Sequence, residues 1–243
     1  MFSIFQKEIH AYFYSLIAYV IMGFFLTVIG LWTWVFAGNS VFQSGYADLA
    51  PLFTMAPYIF IFLCPAITMG LLSEELKLGT LELLLTSPIT ICQIVIGKYV
   101  AAVFVVMVTL LLTSIYGVSI YYLATPVGNI DMAALCGSYI GLLWLSAACI
   151  ALGLLASACT SSQLVAFLLG TLLCFVCYQG ADACAAIAPW GNYTLWMMQG
   201  GILYHYEALS RGVIDLRDVI YFSGLIGLCL VITGVIVHVK RTI

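Results

Sequence analysis

Side chains able to do chemistry are few in this chain, seven Lys and Arg, ten Asp and Glu and three His among 243 residues, and they gather in short segments. The densest is Ser73–Thr90, SEELKLGTLELLLTSPIT. Glu74, Glu75 and Glu82 are expected there as exposed carboxylates, able to accept charge-assisted hydrogen bonds from a docked partner. Such a segment transmits force; without a partner it is an amphipathic connector whose charges set topology. A second cluster runs through His205–Phe222, HYEALSRGVIDLRDVIYF. His205 with Glu207 is an isolated H-x-E without the H-E-x-x-H spacing that binds zinc, and it reads as an interfacial polar pair. Arg211 and Asp215 are four apart, but Gly212 between them argues against a continuous helix. Asp215 is better placed to cap the next helix, with Asp218 at its third position and Arg217 reaching outwards. The segment then has a structural role, and Arg211 is its candidate for meeting a substrate.

Metal and hydrolytic chemistry find little support. His10, His205 and His238 lie in different regions, so neither a metal triad nor a Ser-His pair is expected. Cys174 and Cys177 form a CxxC inside an apolar run with no second Cys or His pair beside it. The nine cysteines read instead as small membrane-buried residues. There is no G-x-x-x-x-G-K-[ST] loop to cradle phosphates, so no cofactor is expected in this chain. Without a basic run, a nucleic-acid partner is excluded.

The elements that must position these groups are apolar. Hydrophobic residues make up 65% of the chain and charged ones 7%, against about a quarter charged in a soluble domain. Membrane lipid must cover most of the exterior. A spanning helix needs about 20 apolar residues. Six stretches qualify: Phe13–Phe36, Leu52–Leu72, Val95–Leu123, Met132–Ser157, Leu164–Gln179 extended towards Asp182, and Val219–Val239.

The expected fold class is an all-α polytopic membrane protein, a single transmembrane domain over 1–243. Residues 1–12 are expected as an N-terminal interfacial helix, 13–72 as spans one and two, and 73–90 as a cytoplasmic coupling helix between spans two and three. Residues 91–182 supply spans three to five. Residues 183–218 form an outer re-entrant hairpin, with Trp190, Tyr193 and Trp196 at headgroup depth, and 219–243 form span six and a tail. Lys7, Lys77, Lys98, Lys240 and Arg241 fall on one side, against Arg211 and Arg217 on the other. The richer side is expected to be cytoplasmic, which places both termini inside.

Within the coupling segment the punctuation has physical content. Gly79 suits the left-handed end of the helix leaving span two, and Thr80 can cap a new short helix with Glu82 in its first turn. Pro88 then ends that helix before span three. An ion-coupled secondary transporter or an intramembrane enzyme stays open as an alternative. The spans are nearly free of the midplane charges a secondary transporter uses, and Asp182 is expected at an outer boundary.

EELKLGTLELLLTSP resembles the signature of ABC-2 type transporter permeases, EE-x-x-x-GT-x-E-x-LL-x-x-P. GLLASACTSSQLVAF (Gly153–Phe167) and His205–Phe222 extend the resemblance, and together they look like the gliding-motility-associated GldF-type subunit. Ala158-Cys159 depart from the Leu-Thr-Glu-Asn-Gln style loop more usual there. Similarity to that family implies a non-catalytic permease subunit in a bacterial inner membrane. It also implies partners: a pair of ABC ATPase subunits, which hold ATP and Mg²⁺, and a second permease, identical or GldG-like. By the same resemblance, Glu74, Glu75, Gly79, Thr80, Glu82 and Pro88 are implied as the ATPase-coupling residues, with Thr160 and Gln163 as a second contact.

Overall fold

With water removed, an apolar run can satisfy its own backbone only as a helix. The computed structural model describes residues 2–36, 41, 45, 48–80, 90–187, 197–213 and 215–242, and it shows no strand among them. The helices are α1 (Phe2–Tyr14), α2 (Leu16–Trp34), α3 (Ala50–Leu78), α4 (Ile91–Leu123), α5 (Met132–Cys159), α6 (Gln163–Ile187), α7 (Ile202–Ser210) and α8 (Leu216–Thr242). Five of them, α3, α4, α5, α6 and α8, are long and apolar enough to cross a membrane. α1 and α2 add a sixth crossing if the pair, bent by 67°, is one span. The all-α polytopic expectation is met.

Helix ends follow local chemistry. α3 runs past the predicted Leu72 because the charged turn Ser73–Lys77 continues the helix until Gly79 ends it in the left-handed region, φ 68°. α4 starts with a capping box in which Gln93 N donates to Thr90 Oγ1 and Thr90 N donates to Gln93 Oε1. Asp131 caps α5 by accepting from the backbone N–H groups of Ala133 and Ala134. The chain breaks between α1 and α2 at Ser15, inside the stretch expected to begin span one.

α5 is the central element. It packs most extensively on α3 and also meets α4, α6, α7 and α8, while α6 and α8 leave large side chains such as Leu168, Phe175, Leu228 and Val231 exposed. Small residues allow the close approach: a Cβ at Gly153 would collide with Thr68 Oγ1 and lie 3.3 Å from Pro65 Cα. α3 continues through Pro57 and Pro65 without ending.

Two ends result. One carries Lys7, Lys77, Thr160 and Lys240; the other carries Asp48, Asp131, Arg211 and Asp215. In the segment expected as a hairpin, α6 extends to Ile187, and α7 packs on α5, α6, α8 and α3. Pro189, Trp190, Gly191, Tyr193 and Trp196 lie outside the described residues.

Candidate functional site

At the first end, the last turns of α3 are tied to three neighbours. Lys98, on the second turn of α4, is 1% exposed. Its Nζ donates to Glu8 Oε1 of α1 at 2.9 Å, to Glu75 Oε1 of α3 at 2.8 Å and to Leu71 O at 2.8 Å. All three ammonium donors are therefore used. A buried charge is tolerated only when paired and hydrogen-bonded in this way. Lys7 approaches the same carboxylates from solvent, 3.7 Å from Glu75 Oε1 and 4.0 Å from Glu8 Oε1.

One expectation needs correction here. Glu75 is not an exposed docking carboxylate; its side chain is 13% exposed and turned inwards to Lys98. Lys98, read from the sequence only as a topological charge, has a buried pairing that the sequence reading missed. Its position three residues inside the predicted start of span three was the available signal, because an ionisable residue within a span faces a partner.

A second tie comes from α5. Ser157 Oγ accepts from Leu72 N and Ser73 N, each at 3.1 Å, and donates to Met69 O at 3.0 Å. Ser73 Oγ also bonds Met69 O. A hydroxyl of one helix is thus inserted into the backbone ladder of another, directly before Glu74. From α8, Lys240 Nζ donates to Ala158 O at 2.8 Å and Cys159 O at 3.3 Å, satisfying carbonyls at the end of α5.

The other sequence-assigned residues of this end are spread around that core. Glu74 is exposed, as is Gln163 at the start of α6. A Cβ on Gly70 would lie 3.6 Å from both Glu74 Oε2 and Gln163 Nε2, so the fold brings these two into one neighbourhood. Thr160 ends α5, and its Oγ1 accepts from Ser162 N at 3.2 Å. Thr80 directly follows Gly79. Glu82 and Pro88 lie outside the described residues.

At the opposite end, His205 does not pair with Glu207. Residues two apart on a helix point in different directions, and Glu207 instead sits 3.7 Å from Arg211, both exposed. His205 Nδ1 meets Asp218 Oδ1 of α8 at 2.7 Å, and Nε2 meets Gln199 O at 2.9 Å. Asp215 Oδ1 accepts from Arg217 N at 3.1 Å at the start of α8. Tyr206 donates to Phe53 O at 2.6 Å, and burial pushes its hydroxyl well above the usual phenol range, with Tyr178 adding to the effect. A cavity of about 840 Å³ opens at this end, with Asp48, Asp131, Ser138 and Arg211 among its lining residues.

Among the described residues no group of three or more His, Cys, Asp or Glu is arranged to hold a metal ion. A family model described as "ABC-2 family transporter protein" matches residues 3–189. No curated protein matches the chain.

Proposed function

The chain belongs to the ABC-2 family of transporter proteins, and from that premise we propose that it is the permease subunit through which a separate ATPase drives export or force transmission across a bacterial inner membrane. The chain is a membrane protein, a transport subunit by family. In the proposed assembly two ATPase subunits hold ATP and Mg²⁺. A second permease, identical or GldG-like, completes the pathway, and gliding motility is the proposed setting. The Lys7 and Lys240 end faces the cytoplasm.

One observation supports the coupling route above all: the end of α3 is cross-linked to α1 and α4 by the buried Glu75–Lys98–Glu8 cluster immediately before the Thr80–Pro88 segment. A displacement of that segment cannot be absorbed by fraying of α3. It is passed to α4 through Lys98, to α1 through Glu8, and to α5 through Ser157. Rigid packed elements with two arrangements carry such signals.

The test uses Glu82→Arg in the native membrane, with permease level, ATPase copurification and ATP turnover measured together. Expected is a normal permease level with docking weakened more than about tenfold, the scale of one lost charge-assisted contact of roughly 1.5–3 kcal/mol, or with hydrolysis uncoupled from transport. If no ATPase copurifies with the wild-type chain, the reading fails. Normal docking and turnover in the variant would return the segment to a plain connector.

A further inference from the structure

Both hydrogen-bond partners of His205 are groups that only accept. Nε2 faces a backbone carbonyl, Gln199 O, at 2.9 Å, and Nδ1 faces the Asp218 carboxylate at 2.7 Å. A carbonyl and a carboxylate have no proton to donate, so each ring nitrogen must carry one. The ring that satisfies both contacts is the imidazolium. Tyr221 agrees with that charge, because its ring stacks on His205 with centroids 4.0 Å apart and planes at 22°. The Tyr221 hydroxyl donates to Gly200 O at 2.8 Å, so the same strip of chain is held twice. His205 and Asp218 are 5% and 4% exposed, and Asp218 Oδ2 has no hydrogen-bond partner among the described residues.

We propose that His205 and Asp218 form a proton-dependent clasp that fastens α7 and the preceding turn to α8 while the ring is an imidazolium, and releases them when its proton leaves. A neutral ring has one N–H. Either Gln199 O or Asp218 then faces a lone pair in a buried place, which is the costly case of a polar group left unpaired. The proton-bound form is the fastened one, so the clasp holds at low pH and loosens as pH rises. Titratable and charged groups near the pair come from several elements. α8 supplies Asp218, Asp215 and, at the mouth of the neighbouring cleft, Arg217. α7 supplies Tyr204, whose ring edge meets His205, with Glu207 and the following Arg211 at the exposed rim. α6 carries Asp182 and Cys177 on the stretch that α7 packs against. α5 and α3 meet this part of the chain with polar contacts, Ser138 Oγ to Ser210 O and Tyr206 to Phe53 O.

Arg211, just beyond α7, lines both the 840 Å³ cavity and the cleft beside Asp218. Release of the clasp therefore loosens the wall between the two. The inference stands on these side chains alone and does not depend on an ATPase partner.

Hydrogen exchange of the full chain in lipid nanodiscs tests it, comparing the Met198–Ser210 amides at about pH 6 and about pH 9, on either side of the range where histidines ordinarily titrate. After correction for the intrinsic exchange rate, protection is expected to fall roughly tenfold or more at the higher pH. In Asp218→Asn the side-chain amide can donate to Nδ1 while Nε2–H still donates to Gln199 O, so no extra proton is needed. Its protection should be high and the same at both values. Unchanged wild-type protection, or a wild-type-like loss in Asp218→Asn, overturns the clasp. Nitrogen-15 spectra of histidine-labelled wild-type chain give a second readout. An unprotonated ring nitrogen at His205 near pH 6 overturns the proposal even if the variant does not fold.

Discussion

Lys98 of α4 and Glu75 of α3 stand 2.8 Å apart across 23 residues of sequence, and the lysine has essentially no contact with solvent. Between them in the chain lies the charged segment that joins α3 to α4, so the two helices that flank it are bound to each other by charge.

Removing Lys98 should therefore cost more than removing a surface charge. Lys98→Met leaves the Glu8 and Glu75 carboxylates with only the solvent-exposed Lys7, 3.7–4.0 Å away, in place of their buried cation, and breaking a buried pair from one side costs about 3–5 kcal/mol. A large drop in Tm, or loss of the chain from the membrane, is expected. The triple variant Lys98→Met, Glu8→Gln, Glu75→Gln removes the uncompensated charges and should recover most of that loss. A Lys98→Met chain as stable as wild type would show that the cluster holds nothing together.

The α3–α5 contact should respond to a single methyl group. Gly153→Ala drives a Cβ into Thr68 Oγ1 with Pro65 Cα only 3.3 Å away, and overpacking of this kind costs about 1–3 kcal/mol. Thr68→Ala removes the colliding hydroxyl, so the double variant should be more stable than Gly153→Ala alone. Thermal unfolding in one detergent measures all three chains. Simple additivity of the two changes would argue against this contact.

Ser157→Ala should loosen the exit of α3 without opening a large cavity. Its hydroxyl meets Leu72 N, Ser73 N and Met69 O, and buried groups deprived of a partner cost about 1–3 kcal/mol. Faster amide exchange confined to Met69–Leu78 is the expected signature. Uniform exchange across the chain would assign Ser157 to general packing instead.

Topology has its own measurement. In a chain freed of its cysteines, a thiol at Asp48 or Asp131 should react with an impermeant reagent from outside, and one at Lys77 should not. Reversed labelling would place the α3 exit away from any cytoplasmic ATPase.

Part of the candidate site was legible in the residue string, and the reasons differ by residue. Gly79 could be assigned to a helix end because a left-handed turn is a local demand that glycine meets without strain. The break after Ser210 followed in the same way from Gly212, which has φ +80°. His205 with Glu207 misled because nearness in sequence was taken for nearness in space. The true partner, Asp218, is 13 residues further on and on another helix.

The sequence by itself determined that this chain lives in lipid, that it is helical, and roughly where the long apolar helices begin and end. Those properties depend on apolar length, caps and breakers, all of them sums over neighbouring residues. Only the tertiary structure decided which charges are spent inside the fold. Lys98, Glu8 and Glu75 come from three helices, and Ser157 reaches Met69 across 88 residues. Such pairings depend on how helices cross and rotate, which is set by the close fit of small residues such as Gly153 against Thr68 and Pro65. No periodicity along a single helix carries that information.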